Sequence, residues 1–143
     1  MNKNFVLYTD GGARGNPGPA ATGVVVFDAA GRELGHFSTY LGKATNNQAE
    51  YKALILGLGR VQKLVGDAHR LGEVIVTVLM DSELIVRQLM GEYRVKNKEL
   101  KPLHAKVEEL AAKFGRVTFR HIPREQNSRA DKLVNRTLDR MVK

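Results

Sequence analysis

Phe5–Thr9 is a short run of apolar, aromatic and β-branched residues, the pattern of a buried strand, and it ends at the acid Asp10. The stretch that follows, Gly11-Gly12-Ala13-Arg14-Gly15-Asn16-Pro17-Gly18-Pro19, breaks any periodic structure and predicts a loop. Ala21–Phe27, with Val24-Val25-Val26 at its centre, predicts a second strand, Asp28-Ala29-Ala30-Gly31 a turn, and Arg32–Leu41 a third strand. The connections are short, as in an antiparallel meander. Asn46 and Asn47 mark a helix start, asparagine being a natural N-cap, and Leu54, Leu58, Val61 and Val65 recur at helical spacing behind them. Val74–Met80 is nearly continuous in apolar residues and predicts a strand covered on both faces. Asp81-Ser82 closes that strand and opens a helix to about Met90. Glu92–Lys98 reads as a polar connection and Pro102–Phe114 as an amphipathic helix. Arg116–His121 is a last short strand, Ile122–Asn127 a loop and Ser128–Val142 the closing helix. The order β-β-β-α-β-α-α-β-α predicts an α/β fold, a mixed sheet with helices on its faces.

A length of 143 residues suits one domain spanning 1–143, and 43% hydrophobic with 27% charged residues is an ordinary globular composition. The absence of cysteine excludes disulfides, zinc-thiolate sites and thiol nucleophiles. No signal-peptide pattern opens the chain and no apolar stretch reaches membrane-spanning length, so a soluble, cytoplasmic protein is expected. The net charge of +8 favours polyanionic partners, although many soluble proteins are simply basic. It gains meaning from where the acids fall.

Asp10 and Asp81 each end a predicted strand, at the sheet edge where α/β folds gather ligands. Glu50 lies one helical turn before Leu54, and Asp131 three residues before Val134, so both carboxylates point along apolar stripes that a solvated acid should avoid. Each acid alone has a structural explanation. Asp10 could cap a turn and Asp81 the helix after it, Glu50 could answer the helix dipole, and Asp131 could pair with Arg129 or Lys132. All four together require four coincidences, and no matching set of inward-facing basic residues is visible. Inward carboxylates of this kind are costly unless cations neutralise them, and their hard oxygens suit magnesium or manganese.

Tyr8-Thr9-Asp10-Gly11-Gly12, Thr45-Asn46-Asn47-Gln48-Ala49-Glu50, Met80-Asp81-Ser82 and His121-Ile122-Pro123-Arg124-Glu125-Gln126-Asn127-Ser128-Arg129-Ala130-Asp131, in this order and spacing, resemble type 1 ribonuclease H over about Phe5–Val142. The resemblance implies the ribonuclease H-like fold, with a five-stranded mixed sheet whose first three strands are antiparallel and helices on both faces. It implies hydrolysis of the RNA strand of RNA–DNA hybrids to 5′-phosphate and 3′-hydroxyl ends by two metal ions, magnesium or alternatively manganese. Asp10, Glu50, Asp81 and Asp131 would hold the metals, with His121 aiding proton transfer or product release. Gly11, Gly12, Ala13 and Asn16 would lie at the RNA strand, reading 2′-hydroxyls by backbone groups. Lys43, Thr45 and Asn97 would grip a phosphate of the DNA strand. Asn46 and Asn47 would contact bases or sugars, or serve only as caps.

The chain departs from many bacterial members in lacking a basic, tryptophan-containing handle. There is no tryptophan, and the segment Gln88–Leu100 is short, leaving Arg94, Lys96 and Lys98 as its remnant. A monomer with no obligatory protein partner and no membrane association is expected. Three competing readings remain: a resolvase or exonuclease of the same superfamily, a binding module without catalysis, and a broader ribonuclease that also cuts double-stranded RNA or RNA–DNA junctions.

Overall fold

The computed structural model describes residues 3–142. Its first two strands, β1 (Asn4–Ala13) and β2 (Gly18–Asp28), form an antiparallel hairpin in continuous register from Phe5↔Asp28 to Ala13↔Ala20. The glycine-rich stretch predicted as a loop is therefore mostly strand, and only residues 14–17 lie outside it. Gly11 in that stretch answers a close helix contact, described below, whereas Gly15, with φ +92°, serves the 14–17 turn. Asp10 accordingly sits inside β1 and not at its end.

The predicted third strand is two strands. β3 (Glu33–Phe37) and β4 (Tyr40–Ala44) both pair antiparallel with β2, on separate stretches of it. Ser38 and Thr39 leave the ladder between them because Thr22 recruits both. Ser38 Oγ donates to the Thr22 carbonyl at 2.6 Å, and the Thr39 amide donates to Thr22 Oγ1 at 3.1 Å. Beyond β1, β5 (Ile75–Met80) and β6 (Arg116–His121) add in parallel, giving the order β3-β2-β1-β5-β6 with β4 beside β2. The five-stranded mixed path is thus present, with β4 as a sixth strand.

Helix α1 (Asn46–Val65) opens at Asn46, but its N-cap is Thr45 rather than an asparagine. Thr45 Oγ1 accepts from the Gln48 amide at 3.1 Å while Gln48 Oε1 accepts from the Thr45 amide at 2.8 Å, a reciprocal capping box. A short 3-10 turn, Ala68–Glu73, leads into β5. α2 (Glu83–Leu89) is capped by Ser82, whose Oγ accepts from the Ile85 amide, so Asp81 is not the cap. α3 (Lys101–Ala111) and α4 (Ser128–Met141) complete the fold.

Adjacent strand residues point to opposite faces, which shows how the helices are layered. Gly57 of α1 lies against Leu7, Thr9 and Val24, whereas Ala130 and Leu133 of α4 lie against Gly23. α1 and α4 therefore cover opposite faces of β1 and β2. The larger core joins Leu7, Val24, Leu54, Val76, Val78 and Val107 on the α1 side, with α2 and α3. Tyr51 Oη within it donates to Gln88 Oε1 at 2.6 Å. β5 is not covered on both faces as expected: Val76, Val78 and Met80 are buried, but Ile75, Thr77 and Leu79 are only half-buried. No helix among the described residues is long and apolar enough to cross a membrane.

The capping box predicts that Thr45→Ala costs about 1 kcal/mol of folding stability. Urea unfolding should show a lower midpoint with an unchanged slope, and an unchanged midpoint would contradict the cap's role.

Candidate active site

β1 and β5 run parallel with a constant offset, Asn4 beside Ile75 and Tyr8 beside Leu79. Continuing that offset sets Asp10 level with Asp81, just past the end of β5. Two helices meet β1 at this level, one on each face. α1 comes so close that a Cβ on Gly11 would lie 2.2 Å from the Ala49 carbonyl carbon. α4 comes equally close to β2, where a Cβ on Gly23, the register partner of Asp10, would lie 2.2 Å from the Ala130 carbonyl oxygen. Only glycine fits at either position without moving a helix. These approaches place Glu50, next to Ala49, and Asp131, next to Ala130, on the two sides of Asp10.

The result is one hollow of about 420 Å³ whose lining includes Asp10, Glu50, Asp81 and Asp131. Carboxylate oxygens of Asp10, Glu50 and Asp81 lie within 4.8 Å of one another, a spacing that could hold a metal ion. Asp131 borders the same hollow and acts electrostatically on Asp10. Asp10 is 8% and Glu50 7% exposed, so water screens neither well. Burial, then the charges of Asp81 and Asp131, push the Asp10 carboxyl up from its ordinary 3.8 to about 7, partly offset by the Gly11 amide. Burial and the charges of Asp10 and Asp81 likewise hold Glu50 well above the usual carboxylate range. The Gly11 amide opposes this, donating to Glu50 Oε1 at 2.8 Å. Arg129 does not relieve Asp131, because it is paired with Glu33.

Contrary to the expectation from sequence, two basic residues do border the hollow, Arg14 and Arg124. Neither forms an ion pair with the four acids; Arg14 bonds Asp139 and the Asn135 carbonyl. Asn127 was also not singled out from sequence. It is 1% exposed, and its Nδ2 donates to the Thr9 carbonyl at 2.8 Å, tying the strand just before Asp10 to the start of α4. Its burial could not be read from the sequence, where it is one polar residue among several before α4.

Of the substrate-contact residues expected, Gly11, Gly12, Ala13 and Asn46 line the hollow. The space at Gly11 is filled by α1 and so is not free for a ligand. The Gly11 amide is committed to Glu50 and the Ala13 amide to Asn46 Oδ1 at 2.8 Å, so neither is free to read a hydroxyl. Asn16 Oδ1 accepts from the Asn46 amide at 3.0 Å, bracing the 14–17 turn against α1. Thr45 is engaged as the helix cap. Asn97 Oδ1 accepts from the Glu99 and Leu100 amides at 2.7 and 3.2 Å, ordering the turn before α3. Asn47 lies in the first turn of α1 without capping it, and Lys43 is exposed on β4. His121 ends β6, exposed, and lines a neighbouring hollow with Glu83, Arg87 and Glu92 rather than the acidic one.

The sequence profile of the family described as Reverse transcriptase-like matches residues 8–137. LC11-RNase H1, isolated from compost by a metagenomic approach, superposes with a TM-score of 0.91 at 50% identity, covering 100% of both chains. This chain is a member of the ribonuclease H family. LC11-RNase H1 has also been solved in complex with an RNA/DNA hybrid, at 48% identity. Ribonuclease HI of Halobacterium salinarum is 38% identical over 92% of this chain and 63% of its own length. Bifunctional protein Rv2228c of Mycobacterium tuberculosis is 42% identical over 94% of this chain, which spans only 35% of that protein. The four acids and the β3-β2-β1-β5-β6 sheet order thus stand in a ribonuclease H fold.

The raised carboxyls set a pH dependence. Asp10 and Glu50 bind protons more tightly in the folded than in the unfolded chain, so they favour folding at low pH. That contribution is lost as pH rises from the unfolded value of 3.8 through about 7 for Asp10. In chelator, the melting temperature should fall between these pH values, and the Asp10→Asn variant should show a shallower fall. Parallel curves for the two proteins would refute the electrostatic account.

Proposed function

We propose that this protein is a metal-dependent endonuclease that hydrolyses the RNA strand of RNA–DNA hybrids, leaving 5′-phosphate and 3′-hydroxyl ends. The observation that carries this reading is the convergence of four acids, from β1, α1, the end of β5 and α4, on one hollow in a ribonuclease H fold. Asp10, Glu50, Asp81 and Asp131 hold two divalent ions in this reading, magnesium or alternatively manganese. Their fit rests on the donor set: oxygen-only ligands, close together, whose charge is unfavourable without a cation. When bound, such ions supply Lewis-acid stabilisation of a phosphodiester undergoing in-line attack by water.

The chain's own residues orient the substrate. Gly12 and Asn46, at the wall of the hollow, take the RNA strand, with Gly11, Ala13 and Asn16 shaping that wall through their internal bonds. Exposed Lys43 offers charge to a DNA phosphate, Thr45 caps α1 beside it, Asn97 orders the turn before α3, and Asn47 contacts bases or sugars of the substrate in this reading. His121, outside the acidic hollow and exposed at the end of β6, aids proton transfer or product release in this reading. The protein acts as a cytoplasmic monomer in this reading. LC11-RNase H1, with its RNA/DNA hybrid, supports the choice of hybrid over other polyanions. A second reading, cleavage also of double-stranded RNA or RNA–DNA junctions, is favoured by the short segment between α2 and α3, which leaves few groups to measure duplex width.

One labelled sequence, presented as hybrid, double-stranded RNA, single-stranded RNA and DNA, with and without divalent metal, tests the proposal. Internal cuts in the RNA of the hybrid, only with metal, are expected. Asp10→Asn, Glu50→Gln, Asp81→Asn and Asp131→Asn should each lower the rate by at least about a hundredfold while remaining folded. Metal-independent cutting, or full activity in Asp10→Asn, would overturn it. A pH–rate profile for His121→Ala identical to the parent's would remove the histidine from the reaction.

A further inference from the structure

α4 divides its polar residues by charge. Ala130, Leu133, Val134, Thr137 and Leu138 are buried against the sheet. On one flank, Asp131 and Asn135 border the acidic hollow, and Asp139 beside them is paired with Arg14. On the other flank stand Lys132, Arg136 and Arg140, all exposed. At 3.6 residues per turn these three fall within an arc of about 80° and span about 12 Å along the axis. The arc points away from the hollow.

None of the three has an ion pair or other polar partner among the described residues. On other helices cations find acids one turn away: Arg87 pairs with Glu83 on α2, and Lys106 with Glu109 on α3. The cation next to the stripe, Arg129, is occupied by Glu33. Lys132, Arg136 and Arg140 instead succeed each other at intervals of four, where like charges repel. Three uncompensated cations in line, in a chain of net charge +8, make a track suited to evenly repeated anions.

We propose that this stripe binds the sugar-phosphate backbone of nucleic acid extending past the hollow, as a second contact apart from the cleavage site. The inference rests on the hybrid-cleaving reading above and adds a surface to it. The stripe adds affinity and salt dependence and contributes nothing to the chemical step, because it faces away from the acids.

The test compares the parent with Arg136→Gln/Arg140→Gln, Arg136→Glu/Arg140→Glu and a control of equal charge change, Lys63→Glu/Lys113→Glu. Cleavage is measured across a salt series on a long hybrid and on one too short to extend past the hollow. The neutral double variant should keep kcat, raise KM on the long hybrid, and flatten the slope of log affinity against log salt by about 2. Charge reversal should do so more strongly. On the short hybrid all proteins should agree, and the control should stay near the parent. An unchanged KM and slope in both stripe variants, or equal losses in the control, would overturn the stripe while leaving the cleavage reading intact. A parent that cuts no hybrid would instead remove the reading beneath it. Circular dichroism and melting temperature check folding, and the exposed neutral variant provides the measurement if charge reversal fails to fold.

Discussion

Mutual repulsion among carboxylates that water cannot screen is the constraint around which this molecule is arranged. Asp10 and Glu50 are nearly dry, and Asp81 and Asp131 stand close enough to make ionisation of Asp10 costly until about pH 7. A fold gains nothing by gathering like charges in this way. The neighbouring features make sense as means of holding the acids together despite that repulsion. Glycine at positions 11 and 23 lets α1 and α4 press on the sheet from opposite faces at one level. The Gly11 amide steadies Glu50, Asn127 ties α4 to the strand before Asp10, and the Thr45 capping box fixes the first turn of α1. The acids are held on rigid elements, which fixes their positions relative to one another.

Elements whose signal is periodic were legible in the chain. α1 and α4 announce themselves by apolar stripes, and an acid lying on such a stripe is anomalous enough to be read as functional, as Glu50 and Asp131 were. β6 was readable to the residue, Arg116–His121, because turns flank it. Less legible was the glycine-rich stretch after Asp10. Glycine serves both turns and close contacts, and sequence gives no way to know that Ala49 and Ala130 would come to lie over Gly11 and Gly23. The split of β3 from β4 was hidden for a similar reason, since it depends on Thr22, a residue distant in the chain, capturing Ser38 and Thr39.

Polar residues near the hollow carry structural duties that the sequence does not display. An asparagine or threonine near a site has two possible duties, and here several have a local structural one. Thr45 and Asn97 cap backbone amides, and Asn46 braces β1 through Ala13. A carboxylate has fewer ways to be satisfied inside a protein, so its placement is more informative. On α4, Asp131 faces the hollow, whereas Lys132, Arg136 and Arg140, without polar partners among the described residues, line the opposite flank. One helix thereby presents negative charge on one side and positive charge on another.

Calorimetric titration of the protein with magnesium near pH 6.5, repeated in buffers of different ionisation enthalpy, tests the electrostatic claim most directly. Because Asp10 holds its proton up to about pH 7, ion binding must expel it. The account predicts release of roughly one proton or more on binding, seen as a heat that varies with the buffer, and a smaller release in Asp10→Asn. A heat of binding independent of the buffer would contradict it, since the carboxylates would then already be ionised without the metal.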